Sequence, residues 1–330
     1  GLKQLDQSIE AITVSYPTSQ QDESPFAKQL AQHLGMDHTI TPIKVDDISS
    51  LARDVAMAYD EPQSYSALLS MYQVCQVGAS KYKVILAGDG GDEVFGGYNW
   101  YNNLPKPQPT SIKRTIKNLL RGSHNKPSGD VWEQFAQQSP LHRHASRLHP
   151  RFFPHEAQIL LKSTGVTFTE DEMLAPLRKY YVDSLPLKRA LQRVDLMTFC
   201  TDSILAKVDR ASMAHSLEVR VPFLDRRVIE WGLSQPMTDQ EANTSKAVLR
   251  DYLHDHVPQD ILDHPKQGFS LRTLDDFDWE QAKATIRDSQ WVKQGYWENV
   301  DSLFDEGMPY HTARIWNLWM LSHWGNYWLN

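Results

Sequence analysis

The segment best suited to chemistry is a glycine-rich, acidic loop that runs from Gly88 through Asp89, Gly90 and Asp92. It directly follows Tyr82-Lys83-Val84-Ile85-Leu86-Ala87, a run typical of a buried strand. Ligands of open α/β sheets bind beyond the carboxyl ends of the strands, which is where this loop falls. Its glycines let backbone N–H groups approach a phosphate, and its acids can hold Mg²⁺ or an amine. The pattern favours an active site, and the alternative is a tight turn with helix-capping acids.

This loop differs from the two best-known nucleotide-binding loops. Its glycine spacing is not the GxGxxG dinucleotide fingerprint. No Gly-Lys-Ser/Thr follows it, so it is not a Walker A loop either. The loop therefore predicts a nucleotide or phosphate site of another kind.

A second segment, from Lys207 to Asp225, interleaves cations and acids with apolar residues. The pattern indicates a largely buried segment, and buried charges persist only when they are paired or meet a charged ligand. Arg210 and Arg220 are therefore expected either to pair with neighbouring acids or to clamp a polyphosphate. The charge pattern alone favours neither reading.

Lys266 lies in a third segment, His264-Pro265-Lys266-Gln267-Gly268-Phe269-Ser270. A lone lysine in a loop with proline and glycine is usually solvent-exposed and inert. A chemical role for Lys266 is indicated only by its occurrence together with the other two segments.

Alternating strands and helices must position these side chains. Runs at 11–16, 38–43 and 82–87 are predicted strands, with helical patterns ending at Gly35 and covering 47–59 and 67–80. Strands that alternate with helices of this length predict βαβ units and a parallel sheet. The expected fold class is α/β.

The chain divides into three parts by composition. Residues 1–101 form the α/β sheet portion, and residues 102–130 form a basic, proline-rich linker. That linker has a short helical pattern at 112–120, and its cations could also touch phosphates. Residues 131–330 are mostly helical and are expected to complete the same cleft. The aromatic stripe from Ile315 to Trp328 recurs at helical spacing and predicts a helix packed on a core.

Composition excludes several classes of protein. The 330 residues carry 34 basic and 41 acidic side chains, a formal charge of −7, which argues against coating nucleic acid or an anionic membrane. Two separated cysteines, Cys75 and Cys200, exclude a disulfide framework and a cysteine zinc site. No apolar run is long enough to span a bilayer. We expect a cytoplasmic protein without nucleic-acid or membrane partners.

Taken together, the three segments resemble the synthetase domain of class B, glutamine-hydrolysing asparagine synthetases. The loop is similar to that family's S-G-[ED]-G-x-D-E-x-F-G-G-Y, and 207–225 matches K-x-D-R-x-S-M-A-x-[SG]-x-E-x-R-x-P-[FL]-L-D almost without gaps. Lys266-Gln267-Gly268-Phe269 matches K-Q-G-F. The resemblance covers the chain from Ser8 to Leu329. It implies a parallel sheet of the adenine-nucleotide alpha-hydrolase, or ATP pyrophosphatase, type with a C-terminal helical portion.

The resemblance also implies a reaction. A substrate carboxylate, most often aspartate, attacks the α-phosphate of ATP, and ammonia from glutamine then displaces AMP to form the amide. The implied cofactors are ATP and Mg²⁺, with Asp92 as the metal ligand. Implied catalytic residues are Lys266, Asp89 and Arg210. Implied cofactor-binding residues are Ala87, Gly88, Gly90, Asp92 and Arg220.

Two departures from the family pattern matter. Ala87 replaces a common serine, which removes one hydroxyl near the nucleotide. The family's first strand and its S-G-G-x-D-S pyrophosphate loop have no counterpart here, and Gly1 does not replace the glutaminase cysteine. We therefore expect this chain alone to be incomplete as an enzyme. A glutaminase domain or subunit is the expected partner, and a homodimer is one expected assembly.

Two other readings stay open from the sequence. A related amidotransferase or cyclase would act on another carboxylate, of the cell-surface sugar, peptide or β-lactam type. A non-catalytic subunit or fragment would keep the fold without the reaction. The joint presence of Asp92, Arg210 and Lys266 favours an enzyme.

Overall fold

The computed structural model describes residues 9–17, 19, 22–102, 134–148, 152–235, 246–264, 277–304 and 311–330. The predicted linker at 102–130 therefore lies, apart from its first residue, outside the described residues, as does its helical pattern at 112–120. Lys266 also lies outside them.

The described strands form two parallel pairs. Strand β1 (Glu10–Ser15) pairs with β2 (Asp37–Pro42), and β3 (Val84–Leu86) pairs with β4 (Glu218–Arg220). Parallel neighbours need a crossover connection, which helix α1 (Ser24–His33) supplies for the first pair. The prediction of parallel α/β structure is confirmed.

The predicted N-terminal helices also form. Helix α1 has a proline in its first turn and is followed by Gly35 with φ of 61°, a left-handed conformation that glycine adopts at little cost. Helix α2 (Ile48–Ala58) and helix α3 (Ala67–Ala79) fall on the two predicted helical stretches. The remaining helices, in chain order, are α4 (Gly91–Phe95), α5 (Asn99–Asn102), α6 (Pro140–Ala145), α7 (Pro154–Leu160), α8 (Glu170–Arg178), α9 (Leu187–Met197), α10 (Ala206–Met213), α11 (Arg226–Ser234), α12 (Ala247–Leu253), α13 (Gln259–Leu262), α14 (Trp279–Arg287), α15 (Gln290–Lys293) and α16 (His311–Trp328).

A π-helix at Phe199–Leu205 joins α9 to α10. Such segments are rare and often lie at functional sites. Within the described residues, no helix is long and apolar enough to cross a membrane.

The principal core joins the two ends of the chain. Side chains of β1, α2 and α3 pack in one cluster with those of α14 and α16, including the fully buried Ile48, Leu68 and Trp319. The predicted packing of the C-terminal aromatic helix on a core is therefore confirmed. Burial of these large side chains is the main source of stability available to the fold.

Two indoles of α16 also satisfy the end of α2. The Nε1 atoms of Trp324 and Trp328 donate hydrogen bonds to the carbonyl oxygens of Tyr59 and Ala56, at 3.0 and 2.9 Å. The last carbonyls of a helix have no partner within that helix, so these bonds replace water where α16 covers α2.

Helix α3 packs against both parallel pairs. It contacts β1, and its Met71 and Cys75 lie in a second cluster with Ile85 and Val219 of β3 and β4. A Cβ on Gly78 of α3 would lie 3.4 Å from Leu217 and 3.5 Å from Ile85, which is ordinary van der Waals contact, so α3 lies directly against this cluster. The two strand pairs thus share one supporting helix.

The segment from Lys207 to Asp225 is less buried than its sequence indicates. Lys207 is buried, whereas the side chains of Arg210 and Arg220 are 39% and 62% exposed. Arg210 lies towards the solvent side of α10, and Arg220 shares an exposed face of β4 with Glu218. The expectation of a largely buried segment was wrong for both arginines. For Arg220 the reason is that side chains alternate between the two faces of a strand, so that Arg220 lies on the opposite face of β4 from the partly buried Val219.

Stability is expected to fall in acid because of His323 on α16. Burial, with a smaller contribution from Arg53, lowers the pKa of His323 from 6.5 to about 4. Between these two pKa values the unfolded chain therefore binds one more proton at His323 than the folded chain does. The free energy of unfolding is accordingly highest at neutral pH and decreases as the pH falls. From about pH 7 to about pH 4 the loss attributable to His323 is on the order of 3 kcal/mol. Urea unfolding across this range measures it.

The variant His323→Gln is the control for this titration. Its unfolding free energy is expected to depend less on pH than that of the wild type over the same range. Equal pH dependence in the two proteins would assign the acid sensitivity to other groups.

Candidate active site

The glycine-acid loop turns at the carboxyl end of β3 and opens α4. Gly90 has φ of 86°, and a Cβ there would lie 2.3 Å from the side chain of Leu224. Gly90 is therefore required both by its backbone conformation and by the close approach of the segment after β4. The loop that carries Asp89 and Asp92 is thus held against the second predicted site segment.

Asp92 forms an ion pair at the mouth of this loop. Its Oδ1 lies 2.9 Å from the Nζ of Lys246, and the two side chains are 24% and 33% exposed. A Cβ on Gly97 would lie 1.8 Å from the same oxygen, so glycine is needed there to make room for the carboxylate. The pair joins the glycine-acid loop to the segment that precedes α12.

Sequence reasoning did not single out Lys246. It precedes α12 with φ of 54°, in the left-handed region that residues other than glycine rarely adopt. Lys246 and Asp92 are far apart along the chain, and no spacing within one element could indicate their pairing.

Asp89 forms a second, more buried pair. Its Oδ1 lies 3.3 Å from the Nζ of Lys207, and the two side chains are only 15% and 10% exposed. The hydroxyl of Tyr59 donates a 2.6 Å hydrogen bond to the carbonyl oxygen of Lys207, which fixes the start of α10. Burial raises the pKa of Tyr59, so its hydroxyl keeps the proton that it donates.

Glu93 of α4 and Tyr98, which follows that helix, extend the site. Glu93 is 1% exposed, and its Oε1 accepts a 2.6 Å hydrogen bond from the Tyr98 hydroxyl. Burial raises the pKa of Glu93 against the opposing effect of this bond. The sequence loop contained Glu93, but only the fold shows that it is buried and partnered by Tyr98.

All these acids and Lys207 line one cleft of about 1590 Å³. That volume exceeds a typical small-molecule pocket and can take a nucleotide together with a second substrate. Aromatic rings of Tyr65, Tyr98, Trp100 and Phe199 form part of its wall.

Two strand edges border the same cleft. Ile12, Thr13 and Val14 of β1 all line it, as do Ile85 and Leu86 of β3. Consecutive strand residues point to opposite faces of a sheet, so a run of them along a cleft places the strand edge there. The described partners of β1 and β3 lie on β2 and β4. The cleft therefore separates the two parallel pairs at their edges.

The predicted site residues fall into three groups: those that line the cleft, those that do not, and one that lies outside the described residues. The first group, which lines the cleft, consists of Ala87, Gly88, Asp89, Gly90 and Asp92.

Arg210 and Arg220 are not among the lining residues. Arg210 pairs with Asp60 and Asp209 at 2.8 and 2.7 Å, and Arg220 pairs with Glu218 at 2.7 Å. Lys266 belongs to neither group, since it lies outside the described residues.

The fold and the cleft define a class of protein. The parallel α/β arrangement places a glycine-acid loop with two lysine–carboxylate pairs beyond the carboxyl end of one strand, which is where open α/β sheets bind their ligands. The sequence profile of the Asparagine synthase family matches residues 2–326, and the chain belongs to that family. Its fold is that of the ATP pyrophosphatases.

Several curated proteins are similar over much of the chain. A Mycobacterium tuberculosis protein, named as a candidate glutamine-hydrolysing asparagine synthetase, is 29% identical over 92% of this chain and 48% of its own length. Glutamine-hydrolysing asparagine synthetase 1 of Bacillus subtilis is 27% identical over 82% of this chain and 43% of its own length. The human glutamine-hydrolysing asparagine synthetase is 41% identical over 68 residues, 19% of this chain. The chain thus spans about half the length of the first two relatives.

Proposed function

We propose that this protein forms an amide from a carboxylate and ammonia at the expense of ATP, with aspartate as acceptor and asparagine as product. The observation that carries the proposal is the pairing of Asp89 with Lys207 and of Asp92 with Lys246 around one glycine loop. Such an arrangement offers cations for phosphates and carboxylates for Mg²⁺ or an amino group within a single site. Family membership supports the same reaction class.

Asp92 fits the role of a Mg²⁺ ligand. Magnesium in nucleotide sites is commonly held by one or two carboxylates while the phosphates and water supply the other oxygens. Asp92 is partly exposed at the loop and has room beside Gly97. When bound, Mg²⁺ would neutralise charge on the polyphosphate, and Lys246 would be released from Asp92 towards the phosphates.

The proposed reaction has two steps. A carboxylate oxygen attacks the α-phosphorus of ATP, the bond from that phosphorus to the α,β-bridging oxygen breaks, and pyrophosphate leaves with the bonding electron pair, so that an acyl-adenylate remains. Ammonia then attacks the acyl carbon, AMP leaves with the bonding electron pair, and the nitrogen loses a proton to form the amide. Lys266 would stabilise the charge that develops in both steps, as the resemblance implies. Asp89 would bind the amino group of the acceptor through its carboxylate.

Arg210 and Arg220 would join the phosphates only after exchanging partners. Both are held by ion pairs with exposed acids, and exposed pairs contribute little to stability. Exchange of a surface carboxylate for a phosphate is therefore inexpensive. Both arginines would then bind phosphate groups when ATP occupies the cleft.

The cleft between the edges of β1 and β3 has a place for one further strand, and we propose that a strand like the family's first one lies there. A strand between β1 and β3 would pair with both edges and join the two parallel pairs. Its following S-G-G-x-D-S loop would then meet the glycine-acid loop. We propose that a segment of this kind, and a glutaminase domain or subunit, complete the ammonia-producing enzyme in the cytoplasm.

Product analysis tests this function. With ATP, Mg²⁺, aspartate and ammonium chloride, the complete protein is expected to release AMP and pyrophosphate in equal amounts with asparagine. Lys266→Ala is expected to abolish product while the circular dichroism spectrum and ATP binding are kept. Release of ADP and phosphate would contradict the proposal, as would AMP formation that needs no carboxylate. If another carboxylate is converted to its amide and aspartate is not, the protein is a related amidotransferase.

A further inference from the structure

Asp195, in the last turn of α9, is a buried carboxylate that does not itself line the cleft. It is 0% exposed and accepts hydrogen bonds on both oxygens. His144 Nε2 lies 2.6 Å from Oδ1, while the Tyr101 hydroxyl and Trp100 Nε1 donate to Oδ2 at 2.5 and 3.2 Å. One side chain therefore ties α5, α6 and α9 together.

The position of this carboxylate is informative because its burial is costly. A buried charge is tolerated only when hydrogen bonds satisfy it, and an apolar side chain would pack α9 without that requirement. A network in which both oxygens are satisfied fixes the geometry of its members. Asp195 thus defines the position of Trp100 more closely than packing alone would.

Trp100 transmits this position to the cleft. Its ring stacks on that of Tyr98 with centroids 4.0 Å apart and planes 12° apart, and both residues line the cleft. The Tyr98 hydroxyl is bonded to Glu93, so the Tyr98 ring is held at both ends. Phe199 lies against the same two rings, at 6.0 and 6.4 Å.

Phe199 belongs to the π-helix that begins just beyond Asp195 and leads to Lys207. The carboxylate therefore connects two walls of the cleft, the Tyr98–Trp100 wall and the segment that carries Phe199 and Lys207. Glu93, which holds the Tyr98 ring, comes four residues after Asp89, the residue proposed to bind the amino group of the acceptor, and both line the cleft. The aromatic wall is therefore assigned to the acceptor side of the cleft.

We propose that Asp195 is a positioning residue that holds Trp100, and through it the Tyr98–Trp100 wall, in place for the acceptor substrate. The inference rests on the proposed amide-forming function for the identity of the acceptor. Asp195 does not line the cleft, so it acts through Trp100 and touches no substrate.

The test compares Asp195→Ala with Trp100→Phe and Tyr101→Phe. The variants are made in the complete protein, and aspartate serves as the acceptor with ATP, Mg²⁺ and ammonium chloride. Asp195→Ala is expected to raise the KM for aspartate about tenfold while the KM for ATP changes less than about twofold. Trp100→Phe removes the indole donor and is expected to do the same, and the double variant should add little because both break one connection.

Tyr101→Phe is the matched control. It removes another donor to the same oxygen, but Tyr101 does not line the cleft. It should lower thermal stability and leave the KM for aspartate within about twofold. If Asp195→Ala does not fold, Trp100→Phe against Tyr101→Phe decides the question. Equal KM effects of the two phenylalanine variants, or a folded Asp195→Ala with normal KM, would overturn the proposal.

A spectroscopic readout separates this proposal from the proposed function. The indole N–H resonance of Trp100, assigned by its loss in Trp100→Phe, is expected to move upfield in Asp195→Ala. An unmoved resonance would overturn the role of Asp195 whatever the enzyme makes. A moved resonance in a protein that forms no amide from any carboxylate would instead overturn the proposed function and keep Asp195 as the residue that positions Trp100.

Discussion

Replacing Asp92 with asparagine is expected to weaken Mg²⁺-dependent ATP binding on the order of 100-fold. Loss of a residue that hydrogen-bonds to a metal ligand typically lowers metal affinity by about 10- to 100-fold. Asp92 is proposed as a direct ligand, so we expect an effect at the upper end of that range. The fold should persist, because the Asp92–Lys246 pair is partly exposed and such pairs contribute little to stability. Calorimetric titration with ATP, with and without Mg²⁺, measures the change.

Asp301→Asn is the control for loss of a paired acid. Asp301 forms a 2.8 Å ion pair with Arg287, and neither side chain lines the cleft. Its removal should leave ATP affinity unchanged. If Asp92→Asn also binds Mg²⁺ and ATP normally, Asp92 serves only to hold the loop through Lys246.

Replacing Lys207 with methionine is expected to reduce the free energy of unfolding by about 3 kcal/mol. The reason is that Asp89, only 15% exposed, is left without its nearby cation. Adding Asp89→Asn in the same chain should restore most of the loss, because a neutral amide costs less to bury. Urea unfolding of the two single variants and the double variant gives the interaction energy.

Lys283→Met provides a closely matched comparison. Lys283 is 12% exposed, like Lys207, but its partner Glu280 is 77% exposed and stays solvated when the lysine is lost. Its loss should cost well under half as much. Equal losses for the two lysines would mean that packing of the lysine stem, and not the stranded Asp89 charge, sets the stability.

Local sequence patterns were sufficient to predict the N-terminal strands and the position of the glycine-acid loop. The β-branched runs at 11–16 and 38–43 formed β1 and β2, and the loop after β3 lies at the cleft. These features depend on residues that are close together in the sequence, where side-chain alternation, proline and glycine act directly.

The side-chain pairs of the site could not be predicted in this way. Asp92 meets Lys246, and Asp195 meets His144, only because helices distant in sequence pack together. The exposure of Arg220 likewise depends on which face of β4 is covered. Such pairings are set by tertiary packing, and one sequence without relatives contains no local signal for them.

The packing of α16 on α2 has a consequence for biosynthesis. The side chains of α2 are made long before those of α16 that cover them: Trp328 follows its hydrogen-bond partner Ala56 by 272 residues. A nascent polypeptide emerging from the ribosome therefore exposes the apolar face of α2 until α16 has been made. Chaperones that shield apolar segments are expected to act on α2 during this interval.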